Sequence, residues 1–149
     1  MAQEIFKRTE KKYLLSAQQY RAFLAALEPF VKRDRYFESD IMSLYYDTPD
    51  YRLIRASIEK PVFKEKIRLR SYGVPRSADD VFLEIKRKYK GVVYKRRSVM
   101  PLSRAAGFPE TARDTQIEKE LAWCFDFYEG LAPQMLITYK RHAYTALSD

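Results

Sequence analysis

Lys66, Arg68 and Arg70 recur at every second position, as do Lys86 and Lys88, and Lys95 and Arg97. A period of two puts each set on one face of a β-strand. Glu84 shares the parity of Lys86 and Lys88. Near the start of the chain, Arg8, Glu10 and Lys12 repeat the pattern, and Tyr139 and Arg141 share a face near its end. Cations gathered on one face suit phosphate oxygens: arginine binds them bidentately and lysine neutralises them as a point charge. A carboxylate among the cations, Glu10 or Glu84, is what a metal–polyphosphate site needs, because Mg²⁺ and Mn²⁺ take hard oxygen ligands.

A half-exposed sheet with one wet face would also alternate charged and apolar residues. Here the charged sets are mostly of one sign on neighbouring strands. Like charges facing each other across strands cost about a few tenths of a kcal/mol or more each. A sheet that accepts this repeatedly points to an anion that offsets it.

The position of the charge says the same. The chain has 149 residues, 28 basic and 20 acidic, and a formal net charge of +8. Residues 64 to 97 hold twelve basic residues and only Glu65, Asp79, Asp80 and Glu84 as acids, so this block carries the whole excess. A block of that kind implies a polyanionic partner. Nucleic acid is the weaker second reading. Bases could stack on the many Tyr and Phe rings, but no RNA-binding strand signature, GXXG loop or helix-turn-helix pattern is present.

Other chemistries find little support. His142 is the single histidine and reads as a surface or half-buried residue beside Arg141. Cys124, the single cysteine, sits between Trp123 and Phe125 and reads as core packing. That excludes a disulfide framework and cysteine-based zinc sites. No phosphate-binding Gly-rich loop, dinucleotide fingerprint or histidine metal spacing occurs. Hydrophobic residues make up 46% of the chain, which excludes disorder and leaves one domain, 1–149, with a real core. No apolar run is long enough to span a membrane and no secretory h-region opens the chain, so the expected compartment is cytoplasmic.

The elements that must position these residues follow from pattern. Alternation predicts strands at 5–15, 31–37, 41–47, 62–72, 81–88, 92–100 and 134–144. Ser16 and Gln19 form a capping-box pair before an amphipathic helix over 17–28 that carries Tyr20, Phe23, Leu24 and Leu27. A short helix is expected over 50–57, and a helical turn within 101–114. Thr115 and Glu118 make a second capping-box pair, before a helix that buries Ile117, Leu121, Phe125 and Tyr128 and ends near Gly130. Tyr89-Lys90-Gly91 joins two strands as a hairpin. Antiparallel hairpins with few helices give an α+β fold around a curved sheet or incomplete barrel.

S-L-Y-Y-D-T-P-D-Y-R-L-I at 43–54 and R-T-E-K-K-Y at 8–13 make the pattern specific. They are joined by K-I-R-L-R-S-Y-G at 66–73, F-L-E-I-K-R-K at 82–88, V-V-Y-K-R-R at 92–97 and T-Y-K-R-H-A-Y at 138–144. In this order, over nearly the whole chain, they resemble the VTC domain. This is the polyphosphate-polymerase branch of the triphosphate tunnel metalloenzymes, within the CYTH-like superfamily. The resemblance implies an antiparallel β tunnel lined with inward cations and flanked by a few helices. It implies transfer of the terminal phosphate of a nucleoside triphosphate such as ATP to a growing polyphosphate chain, assisted by Mn²⁺ or Mg²⁺.

Carried over by position, the resemblance makes Lys12, Arg68, Arg70, Lys86 and Arg141 the catalytic set. It makes Lys95, Arg97 and Tyr139 further phosphate ligands and Glu84 a metal ligand, while shared strand parity adds Arg8, Lys66 and Lys88 to the expected phosphate ligands and Glu10 to the expected metal ligands. The family's domain continues past the Y-x-R strand with another arginine, a glutamate and a lysine. The chain ends at Asp149, so the expected tunnel is incomplete, open on one side unless another chain closes it. Its open sheet edges favour homo-oligomers. A triphosphate hydrolase of the same fold and a non-catalytic polyphosphate-binding module are the alternative functions, since both would use the same basic strands.

Overall fold

The computed structural model describes residues 5–7 and 11–147. Among them, six strands form one sheet: β1 (Ile5–Lys7), β2 (Val31–Asp47), β3 (Phe63–Tyr72), β4 (Asp80–Tyr89), β5 (Val92–Pro101) and β6 (Ala132–Ala146). Their order is β1-β5-β4-β3-β2-β6, and every neighbouring pair is antiparallel. The sheet is open, with β1 and β6 at its edges. The helices are α1 (Ala17–Leu27), α2 (Arg52–Ile58), α3 (Leu102–Ala106) and α4 (Gln116–Phe127). This is the expected α+β, open barrel-like architecture. No helix among the described residues is long and apolar enough to cross a membrane.

Side-chain parity separates two faces. Ile67, Leu83, Ile85, Val81 and Met100 point to one side, where they pack with Leu53 of α2, Ala105 of α3, and Ile117, Leu121, Cys124 and Tyr128 beside or on α4. That side is the hydrophobic core. The opposite side of the same strands carries the cations. The hairpin between β4 and β5 turns on Lys90 (φ 44°) and Gly91 (φ 83°), with Tyr89 paired to Val92. Two consecutive positive φ angles are the type I′ geometry that matches strand twist, and they fix the register of both strands.

Two predicted elements differ from the observed ones. Of the strand expected over 5–15, residues 5–7 form β1, and residues 11–16 have no regular structure. Lys7 pairs with Tyr94, and β5 begins at Val92. Residues 11–16 therefore lie beyond the end of the strand they would need as a partner. Second, the two short strands expected at 31–37 and 41–47 are one 17-residue strand. β6 pairs with both of its ends, Val31 to Arg33 and Glu38 to Asp47, and the register slips between Tyr45 and Tyr46 and again between Arg33 and Glu38. There the Asp34 carboxylate accepts the Tyr36 N–H at 2.7 Å, a local bond that competes with the ladder. The helix expected over 17–28 forms as α1 with its full capping box, and none of its residues is buried. Its apolar stripe stays partly open, and Tyr20 comes within 3.5 Å of His142 Nδ1.

The 47–54 segment, so distinctive in sequence, works as a helix start. Asp47 is buried and accepts three backbone N–H groups: Thr48 at 2.9 Å, Leu53 at 2.8 Å and Ile54 at 3.0 Å. Thr48 Oγ1 donates to Asp50 and accepts the Arg52 N–H. Together they satisfy the orphan donors of α2.

Candidate functional site

Strand register brings the alternating cations into rows. Lys66 pairs with Lys86, and Lys86 with Lys95. In the next row, Tyr45 pairs with Arg68, Arg68 with Glu84 and Glu84 with Arg97. In the third, Ile137 pairs with Ser43 and Ser43 with Arg70. Sequence shows the parity of each strand but not its register, so these rows appear only in the fold.

The rows wall a cavity of about 410 Å³ on the face opposite the helices. Its charged lining is Arg68 and Arg70 from β3, Lys86 from β4, Lys95 from β5, Arg141 from β6 and Lys12 from the segment before α1. Among the described residues, six basic and no acidic side chains line it. Ser43, Tyr45 and Tyr139 add hydroxyl groups, and Val93 and Ile137 are apolar.

Glu84 lies behind this lining, 1% exposed. Arg68 Nε donates to its Oε2 at 2.6 Å, and Lys95 Nζ approaches Oε1 at 2.5 Å. Burial pushes the carboxyl up, but Arg68, Lys95 and Arg70 outweigh it and hold Glu84 below its ordinary value. Burial also drives Lys95 below its ordinary value, aided by Arg68 and Arg70, even though Glu84 pulls it up. One carboxylate thus holds several cations apart, and the surface of the cavity stays net positive.

Two further residues position the arginines. The Tyr45 hydroxyl accepts from Arg68 Nη1 at 3.0 Å, and Ser43 Oγ accepts from Arg70 Nε at 3.2 Å. Neither stood out as a site residue in the sequence, although both share a parity on β2. Arg141 stands over the Tyr72 ring at 5.9 Å, and its buried Nε has no hydrogen-bond partner among the described residues.

The remaining candidates are more scattered. Lys12 lines the cavity from an irregular segment rather than from a strand. Lys66 sits at one end, against a neighbouring recess. Lys88, expected among the phosphate ligands, is outside the cavity lining and exposed near the end of β4. Arg97 shares the cationic face, but its guanidinium stands over the Phe82 ring at 4.7 Å. Arg8 and Glu10 lie outside the described residues.

The donors among the described residues do not make a metal cage. Both oxygens of Glu84 face cations. Among the described residues no three His, Cys, Asp or Glu side chains gather as metal ligands. Neither the cysteine nor the histidine serves the cavity as a nucleophile. Cys124 is fully buried on the helix side, and burial pushes its thiol up to about 12. His142 stacks on Phe37 at 4.9 Å, away from the cavity lining.

A basic cavity of this build can grip a chain of phosphates and neutralise its charge. Compared with known families, residues 7–149 match the family model described as VTC domain. No curated protein matches the chain.

Proposed function

The chain belongs to the VTC domain family, a placement that indicates a polyphosphate-related function, and from it we propose that the cationic cavity binds a nucleoside triphosphate beside a polyphosphate chain and promotes phosphoryl transfer between them. The observation that carries the reading is the lining of the cavity: among the described residues, six basic side chains from five separate elements and no acid. Arginine forks at Arg68, Arg70 and Arg141 suit the non-bridging oxygens of successive phosphates. Lys12, Lys86 and Lys95 supply point charges, and Tyr139 a further hydroxyl.

In the proposed reaction, a terminal oxygen of polyphosphate attacks the γ-phosphorus of the nucleotide. A P–O bond forms there, the β–γ bridging P–O bond breaks, and the nucleoside diphosphate leaves with the electron pair. Such transfers need positioning and charge stabilisation more than covalent help from the protein, which agrees with a site built mainly of cations. The divalent cation that the family implies would arrive with the nucleotide as part of the substrate.

The test is incubation with ATP and Mn²⁺, followed by a gel for polyphosphate and an assay for free phosphate. Long chains, lost on Arg68→Ala, are the expected result. Phosphate without chains would make the domain a triphosphate hydrolase. Tight tripolyphosphate binding with neither product would make it a binding module, a reading favoured by the commitment of Glu84 to cations rather than to a metal.

A further inference from the structure

β6 is the long edge of the sheet. Among the described residues, β2 pairs along one side of it and no strand along the other. It has 15 residues, and the run from Met135 to Lys140 is exposed without a break. Met135, Leu136, Ile137 and Tyr139, all large and apolar, are 44 to 55% exposed. They stand on both faces of the strand, so both sides of the sheet are uncovered at this edge. We propose that this edge is a dimer interface, in which β6 of one copy pairs antiparallel with β6 of a second copy.

The edge is unprotected where it is apolar. Natural edge strands are blunted by bulges, prolines or several charges. Here the ladder with β2 runs without a slip from Met135 to His142, and both register shifts and Pro133 lie outside that stretch. The main-chain N–H and C=O groups on the free side of a regular strand are a template for another strand.

The same stretch fits itself, which is what a two-fold interface requires. With a two-fold axis through Ile137 and perpendicular to the sheet, Ile137 meets Ile137 of the second copy. Met135 then faces Tyr139, and Leu136 faces Thr138. Opposite residues share a face, so Met135, Ile137 and Tyr139 close up on the cavity side, and Leu136 and Thr138 on the other. Apolar, aromatic and β-branched side chains favour one another across strands. Lys140 and Arg141 fall at the two ends, far from their own copies. A register centred on Lys140 would oppose like charges and is disfavoured. This self-match assigns the edge to a second copy rather than to an unrelated strand.

Pairing joins the two six-stranded sheets into one, with both cavities opening on the same side. Ile137, Tyr139 and Arg141, which line the cavity, then belong to an interior strand instead of an edge. Nothing in the interface requires a bound anion, so it stands or falls apart from the phosphate reading.

Sedimentation of the full chain at rising concentration, at low and at high salt, reads the association. A dimer is expected, and it should tighten as salt rises, because each copy carries a net charge of +8 while the interface is apolar. Leu136→Lys brings two cations to the interface but alters an exposed side chain, so its circular dichroism should match the parent's. It should weaken the dimer by at least about tenfold. Ile137→Cys reads the register. Directly opposite residues have Cα atoms about 5 Å apart, within reach of a disulfide, so this variant should cross-link under mild oxidation. Lys140→Cys, roughly 20 Å from its copy in this register, should not, and the buried Cys124 does not compete. A parent that stays monomeric at about 100 μM, or a Leu136→Lys dimer as tight as the parent's, would overturn the pairing. So would cross-linking of Lys140→Cys as fast as that of Ile137→Cys.

Discussion

Glu84 decides how the cationic face survives without a ligand. It is buried, and its two oxygens meet Arg68 and Lys95. Removing one partner of a buried ion pair leaves an uncompensated charge and costs about 3–5 kcal/mol. Glu84→Gln should therefore lower the melting temperature of the free protein markedly. It should also strengthen tripolyphosphate binding, because phosphate then meets cations with no internal competitor. Thermal melts with and without tripolyphosphate read both effects. Unchanged stability and affinity, together with a lost Mn²⁺ response, would instead make Glu84 a metal ligand. At this scale much of the site was legible: period two alone gathered Arg68, Arg70, Lys86, Lys95 and Arg141. Ser43 and Tyr45 escaped because their importance depends on pairing with Arg70 and Arg68, and pairing is not written in one strand's parity. The metal role expected for Glu84 came from its place among cations. The same neighbours occupy its oxygens in the fold.

Among the elements, α4 shows how a helix is pinned to the back of the sheet so that the front stays in register. Thr115 caps it as expected, its hydroxyl accepting the Glu118 N–H at 3.3 Å. The reciprocal half of the box is absent, because Glu118 turns to other partners. Arg104 binds it through two nitrogens at 2.9 and 2.8 Å, Ser98 donates at 2.7 Å and the Arg113 N–H at 2.6 Å. These ties join α4 to α3 and to β5, the strand that carries Lys95. The Arg104 hydrogen bonds lead the causes that lower the Glu118 carboxyl from 4.5 to about 2. A depressed carboxyl stabilises the fold above its unfolded pKa, and that contribution disappears as pH falls through the folded value. Stability should thus drop by up to about 3 kcal/mol between pH 4.5 and 2, and Glu118→Gln should remove that part of the slope. Denaturant melts across this range check it; equal slopes in parent and variant would show that Glu118 is not the group. Caps and helical spacing made α1 and α4 readable. The strand over 5–15 misled, because alternation does not reveal whether a partner strand is long enough.

Over the whole molecule, the basic block divides between the two faces of the sheet. Even-numbered positions in β3 and β4 and odd ones in β5 turn toward the cavity. Arg87 and Arg96 turn to the helix side, where Glu65 and Glu120 pair with them. The net charge of +8 in the sequence could not show this division, since it depends on α4 bringing Glu120 across the back of β4 and β5. The two kinds of arginine should answer differently to the same substitution. A hydrogen bond from a charged group is worth about 1.5–3 kcal/mol, so Arg70→Ala should weaken tripolyphosphate binding by about tenfold or more. Arg96→Ala, equal in lost charge but on the far face, should change it by about twofold at most. Raising salt from about 0.05 to about 0.5 M shortens the Debye length from roughly 14 to 4 Å. That should weaken tripolyphosphate binding to the parent and shrink the small Arg96→Ala effect first, because its action must cross the sheet. Equal losses from Arg70→Ala and Arg96→Ala would mean that the anion answers to overall charge, and that the cavity between β3 and β6 is not where it binds.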